Sequence, residues 1–216
     1  MERGNEARLI DAAWRWLEQE MANTAAHARG HVERVVANAR HLQAVEGGDA
    51  LVVELAAILH DVVDVPKDDV RRSEASTMGA RKAMAWLEGR LEASRVQAVG
   101  EAIRSHSYSA GIEAEGLEAE IVSDADNLDA LGAVGIARAY EVGGSLGRLT
   151  MDVADPLCRR RQPDDGRFST DHFFVKLLNL KERFYTDEGR RLAEERIGYM
   201  RAFLERLEEE TRYQEP

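Results

Sequence analysis

Leu59-His60-Asp61-Val62-Val63-Asp64 sets an adjacent imidazole and carboxylate at the end of an apolar run, Leu55-Ala56-Ala57-Ile58-Leu59. An ionised carboxylate without a partner in such surroundings loses its hydration and is strongly destabilised. A divalent cation held jointly by carboxylate and imidazole is one compensation. A core histidine with its own hydrogen bond beside a helix-end aspartate is the competing one. On a continuous helix Asp64 lies four residues past His60 and three past Asp61, so all three side chains share a sector.

Other residues of the same chemistry are spread along the chain. His27 and His31 are four apart, with Gly30 between them weakening the case for an unbroken helix. His106 stands among hydroxyls in Ser105-His106-Ser107-Tyr108-Ser109, as a ligand contact or as an exposed helix end. Asp124, Asp126 and Asp129 recur beside Ile121, Val122, Leu128 and Leu131. Asp126 shares the apolar face with Val122 and Ala130, where a solvated charge run would not fall. A calcium loop does not fit, because the glutamate expected at its twelfth position is missing. Lys67, Arg71 and Arg72 follow the His-Asp pair closely and suit a phosphate in an otherwise acidic protein, or a solvated loop of mixed charge.

The elements that must position these groups all read as helices. Leu9, Ile10, Ala13, Trp14, Leu17 and Met21 repeat at three- and four-residue steps. Trp14 and Trp16 point about 200° apart, so at most one is deeply buried. Val32, Val35, Val36, Ala39 and Leu42 form a second stripe with His31 at its start, closed by Gly47-Gly48-Asp49. Residues 50–63 predict a central helix apolar on nearly every side, ended by Pro66. Ser73 or Ser76 serves as the N-cap of a helix through Met84, Trp86 and Leu87. Further helices run through Val96, Val99 and Ile103, through the aspartate cluster and on to Gly143-Gly144, from Asp171, and over about 187–210. From about 143 to 169 the chain turns to Gly, Pro, Asp and Arg without periodicity, as a lid or side wall. No strand alternation, repeat or low-complexity tract appears, so residues 1–216 read as one all-α domain.

Composition narrows the partners. With 216 residues and 44% hydrophobic content the chain can bury a real core. A net charge of −11 argues against broad binding to nucleic acid or anionic membranes, though a small phosphorylated substrate needs only a local basic pocket. No apolar run is long enough to span a bilayer. The first residues lack a secretory apolar core. The one cysteine, Cys158, excludes an internal disulfide framework and a cysteine-built zinc site. A cytoplasmic protein is expected, as monomer or homodimer.

Taken together, His31-Val32-Glu33-Arg34-Val35, Leu59-His60-Asp61, Val65-Pro66-Lys67, Ser105-His106-Ser107-Tyr108-Ser109-Ala110-Gly111 and Asp124-Ala125-Asp126-Asn127-Leu128-Asp129-Ala130-Leu131-Gly132 resemble the HD-domain metal-dependent phosphohydrolases. More narrowly they resemble the YedJ/YpgQ-like bacterial branch, as do Asp171-His172-Phe173-Phe174 and Ala193-Glu194-Glu195-Arg196. The resemblance covers most of the chain and implies a single-domain HD-type helical bundle. It implies that His31, His60, Asp61 and Asp126 bind one divalent cation, with Asp126 rather than Asp124 as the last ligand. Asp129 is implied as a contact to substrate or to a ligand. Such a donor set suits manganese, magnesium, iron, nickel or zinc without choosing among them. The resemblance further implies Asp64 as the base that deprotonates or orients water, with Asp61 beside it. Lys67 and Arg72 would neutralise phosphate charge, with His106 and Arg138 in support. The branch often has Asp where this chain has Ala28, so His27 is only an accessory. Asp69 and Val70 stand where His-Pro is often found, while Arg72 and Ser76 keep the pattern.

The expected activity is hydrolysis of a phosphate ester or anhydride in a small nucleotide, for example a nucleoside triphosphate to monophosphate and pyrophosphate. A two-metal phosphodiesterase, an oxygenase on the same scaffold and a non-catalytic metal-stabilised binding module are the alternatives. Metal count per chain and a phosphate-substrate screen separate them.

Overall fold

Helix α3 (Ala50–Leu59) buries every residue except its first and Glu54, and it packs against α1 (Glu2–Glu20), α2 (His27–Glu46) and α5 (Ala93–Ser105). Its run of Leu, Val and Ile has no polar face to turn outward, so neighbours must surround it; each large side chain so buried contributes about 1.5–3 kcal/mol. The computed structural model describes residues 2–21, 27–63, 65, 69, 71–107 and 110–212, the side chains of residues 2, 3, 27, 28, 72 and 212 excepted. Asp64, Lys67 and the side chains of His27 and Arg72 therefore lie outside the described residues.

The described residues gather into two compact units, the first comprising residues 1–126 with 185–189 and the second 127–184 with 190–216. The fold is all-α: among the described residues there are nine α-helices, and the β-pairing is an isolated bridge between Leu149 and Phe168.

In the first unit, Val32, Val35, Val36, Ala39 and Leu42 of α2 face inward as their spacing predicts. The helix runs back through Gly30 to His27, contrary to the break that glycine suggested. One interior glycine costs only about 1 kcal/mol, which the packed stripe outweighs. Gly47 and Gly48 take positive φ values of 93° and 85° at the turn into α3. The Asp49 carboxylate then caps α3, accepting from Leu51 N at 3.0 Å and Val52 N at 3.3 Å.

Two boundaries differ from expectation. Helix α3 stops at Leu59, not Val63, and His60 is its C-cap. Val62 N donates to Leu59 O at 3.1 Å, a tight turn that replaces the next helical bond. The helix expected to carry His60 and Asp61 on to Asp64 therefore ends before them, and Asp64, the third member of that expected face, lies outside the described residues. The turn leaves the Asp61 side chain 47% exposed, sparing an ionised carboxylate full desolvation. Likewise neither Ser73 nor Ser76 caps α4 (Ala75–Leu87), which is entered through a 3₁₀ turn, Arg72–Glu74. Ser76 instead donates to Arg104 O at 2.9 Å.

Trp14 and Trp16 are both only partly buried, and Trp16 stacks on Trp86 of α4 with centroids 4.9 Å apart and planes 7° from parallel. Helix α6 (Leu117–Asp129) buries Ala119, Ile121, Val122, Ala125 and Leu128.

In the second unit, α7 (Gly132–Ser145) does not continue α6. Gly132 breaks the chain at φ 70° and Leu131 is the N-cap. Residues 146–170 are irregular, as the composition suggested. They are anchored on the fully buried Asp171, which opens α8 (Asp171–Val175) and receives the Arg161 guanidinium through Nη1 and, at 2.8 Å, Nη2. A 3₁₀ stretch, Leu177–Arg183, replaces the continuous helix expected after Asp171. Helix α9 (Asp187–Arg212) presents Ala193, Ile197, Met200 and Leu204 inward. Leu192, Phe203 and Leu207 are only partly covered. No helix among the described residues is long and apolar enough to cross a membrane.

Candidate metal centre

His60 and His106 occupy equivalent places, each as the C-cap of a helix, α3 and α5 respectively. Each ring is tied to the carbonyl three residues back: His60 Nδ1 to Ala57 O at 2.8 Å and His106 Nδ1 to Ile103 O at 2.6 Å. A carbonyl only accepts, so both Nδ1 atoms carry protons, and the neutral His60 ring presents its lone pair at Nε2. The two rings meet edge to face with centroids 5.0 Å apart.

The other donors come from α2 and α6. His31 Nε2 lies 3.2 Å from His60 Nε2, 3.3 Å from Asp126 Oδ1 and 3.7 Å from Asp61 Oδ2. His60 Nε2 is 3.5 Å from Asp61 Oδ2 and 3.8 Å from Asp126 Oδ1. Donor atoms about 2.1 Å from one cation stand roughly 3.0 Å apart at right angles and 3.4 Å apart in a tetrahedron. The separations seen here fall on that scale, so the residues fit a single divalent ion. His31, His60 and Asp126 form one trio of donors mutually within 4.8 Å, and His60, Asp61 and His106 form a second.

Electrostatics favour the ligating forms. Burial pushes His60 down, toward the neutral imidazole. Burial pushes Asp126 up, yet the hydrogen bond and charge of His31 win and bring it to about 2. Partial desolvation raises Asp61, which stays half-exposed, but His60, His106 and His31 hold it well below the usual carboxylate range. His106 is the exception: burial lowers it, but Asp61 and Asp126 raise it further, for a net upward shift toward the charged, non-ligating imidazolium.

The sequence candidates are thus brought together in part. His31, His60, Asp61 and Asp126 converge. His106, read from sequence as a substrate contact, stands with Nε2 3.7 Å from Asp61 Oδ1. The signal for this was its place directly after the last residue of a helix, the same as His60. Asp129 and Arg138 are brought to each other in the second unit, Arg138 Nη1 donating to the buried Asp129. Arg71, the described cation of the basic loop, is clasped by Asp69 at 2.8 Å. The pattern also left Asp124 without a role. It is fully buried, and its carboxylate accepts from Tyr185 N, Thr186 N and Thr186 Oγ1 at 3.0, 2.8 and 2.7 Å.

A sequence profile of the HD domain matches residues 29–131, a span holding the four converging side chains and His106. YpgQ of Bacillus subtilis (strain 168) is 33% identical over 200 residues, 90% of each chain. The chain belongs to the HD-domain family. Among solved members, an HD-superfamily hydrolase from Bacillus thuringiensis is 33% identical, with a TM-score of 0.76 over 97% of this chain and 100% of that one. B. subtilis YpgQ in complex with ADP is 30% identical, with a TM-score of 0.73 over 95% of this chain and 96% of that one. The matched span contains one adjacent His-Asp pair, His60-Asp61, which sits where α3 ends.

Proposed function

We propose that this HD-domain protein is a divalent-metal-dependent phosphohydrolase acting on a small phosphorylated molecule, a nucleotide, as in conversion of a nucleoside triphosphate to monophosphate and pyrophosphate. The observation that carries the reading is the convergence of His31, His60 and Asp126 donors within 4.8 Å. The likeness to HD-superfamily hydrolases and to a protein solved with ADP supports the reaction class and the nucleotide.

In this reading His31, His60, Asp61 and Asp126 hold the ion, one of manganese, magnesium, iron, nickel or zinc. An ion held by these residues would supply Lewis acidity toward a phosphoryl oxygen and so favour attack by water. The Ala57 and Ile103 carbonyls fix the tautomers of His60 and His106, so no ring rotation is needed when the donors engage. Asp64 takes the proton as the water oxygen bonds to the α-phosphorus and the bond to the leaving pyrophosphate breaks. Lys67 and Arg72 neutralise the phosphate chain as its charge shifts to the leaving group. His27 is an accessory.

Turnover of nucleoside triphosphates by full-length protein with Mn²⁺ or Mg²⁺, with products identified, tests the reading. Asp64→Asn is expected to lower kcat by about 10²–10⁴-fold; wild-type turnover with metal retained removes Asp64 from the mechanism. A second reading, two-metal phosphodiester cleavage, is favoured by one observation: Asp61 turns Oδ2 toward His31 and His60 and Oδ1 toward His106 Nε2 at 3.7 Å, so its two oxygens could serve two ions with His106 as the further imidazole. A metal content near two per chain selects it.

A further inference from the structure

We propose that Asp124 and Asn38 are positioning residues for Asp126, forming a clasp on two sides of α6 that sets the reach of its carboxylate toward His31. The inference rests on the metal-site reading above. Asp124 and Asp126 are two residues apart on α6, so they point about 200° from each other. While Asp126 Oδ1 faces His31, Asp124 faces the other way and binds the start of α9. It accepts from Tyr185 N at 3.0 Å, Thr186 N at 2.8 Å and Thr186 Oγ1 at 2.7 Å, and Thr186 Oγ1 in turn accepts from Gly189 N at 3.0 Å. Between the two aspartates, Ala125 O receives Asn38 Nδ2 from α2 at 3.1 Å. Asn38 lies seven residues after His31 on α2, two turns along the same face. The helix that carries one donor therefore also grips the backbone next to another.

A buried carboxylate is a costly fastener if only adhesion is needed, since apolar contact would serve with less desolvation. What it adds is direction. Short bonds from several donors fix the rotation of α6 about its axis. A carboxylate roughly 5 Å from that axis moves about 2 Å for a 20° rotation. Donor constellations need positions held to about 0.5 Å. Gly189 belongs to the clasp, because a Cβ there would overlap Asp124 Oδ2 and come within 2.6 Å of Thr186 Oγ1.

Titration calorimetry of full-length protein with Mn²⁺ alone tests this, together with the melting temperature of each metal-free protein. Asp124→Asn and Asn38→Ala are expected to weaken Mn²⁺ affinity by about 10–100-fold. Gly189→Ala, which keeps the Asp124 charge but crowds it, is expected to do the same and so separates position from electrostatics. Asp171→Asn, a buried-carboxylate loss in the other unit, is expected to lower the melting temperature while Mn²⁺ affinity holds. Folded Asn38→Ala and Gly189→Ala proteins that melt earlier but bind Mn²⁺ as tightly as wild type would overturn the clasp and leave the metal site standing. A wild-type protein that takes up no Mn²⁺ would overturn both.

Discussion

His31 Nε2 stands 3.2 Å from His60 Nε2, although 29 positions of sequence separate the two. The His60 proton is committed to Ala57 O, so a lone pair faces the other ring. Either a proton on His31 Nε2 or a shared cation can sit between them, and with Asp61 and Asp126 at 3.3–3.8 Å from these nitrogens the donor set fits a cation.

Metal should therefore stabilise the fold. Free Mn²⁺ at about 100 times its Kd is expected to add about 2.7 kcal/mol to the unfolding free energy. For a chain of 216 residues that corresponds to a rise in Tm of about 5–10 °C, reversed by chelator. Thermal denaturation checks it; a Tm indifferent to Mn²⁺ counts against the site.

The second unit should show an acid limb of stability set by Asp171. Burial pushes this carboxyl up, but Arg161 and the Asp164 N–H at 2.6 Å hold it below its ordinary value. A depressed folded pKa means the contribution is complete above the unfolded value of about 3.9 and is lost as pH falls through the folded one. Asp171→Asn is expected to cost about 3 kcal/mol at pH 7, with the gap to wild type narrowing in acid. Urea denaturation across pH 7 to 3 measures this; a constant gap would contradict it.

Cys158 should be a poor nucleophile. Burial, then its hydrogen bond to Asp171 and that carboxylate's charge, push the thiol up to about 12. An ordinary cysteine near 8.5 carries about 10³ times more thiolate at neutral pH. Alkylation by iodoacetamide at pH 7.5 is expected to be far slower in native than in urea-unfolded protein. Equal rates would show that the thiol is not held this way.

Core damage beneath the doublet should be severe. Leu55 is fully buried five residues before His60. Leu55→Ala is expected to lose about 2–5 kcal/mol, read as a lower urea midpoint. A loss under about 1 kcal/mol would mean that α3 is not the packed centre.

The sequence made the donor set legible because charged or imidazole groups lay where apolar periodicity demanded a core residue: His31 beside the α2 stripe, His60-Asp61 after Leu59, Asp126 on the inner face of α6. The family pattern then chose among the aspartates. Asp124 could not be understood from sequence, because its partners Tyr185 and Thr186 are more than sixty residues away. The early end of α3 was hidden for a related reason. Pro66 marks the last place a helix could stop, whereas the stop is set by a turn at Leu59–Val62 that leaves Asp61 open to water. His106 was visible as a polar cluster, yet its contact with Asp61 depends on how α5 packs against α3.

The most direct test is elemental analysis of metal bound per chain after Mn²⁺ loading and desalting, in wild type, His60→Ala and Asp126→Asn. The account expects about one ion per chain in wild type, as for a single site closed by four protein donors, and little in either variant. Wild-type occupancy retained in folded His60→Ala and Asp126→Asn proteins would contradict it.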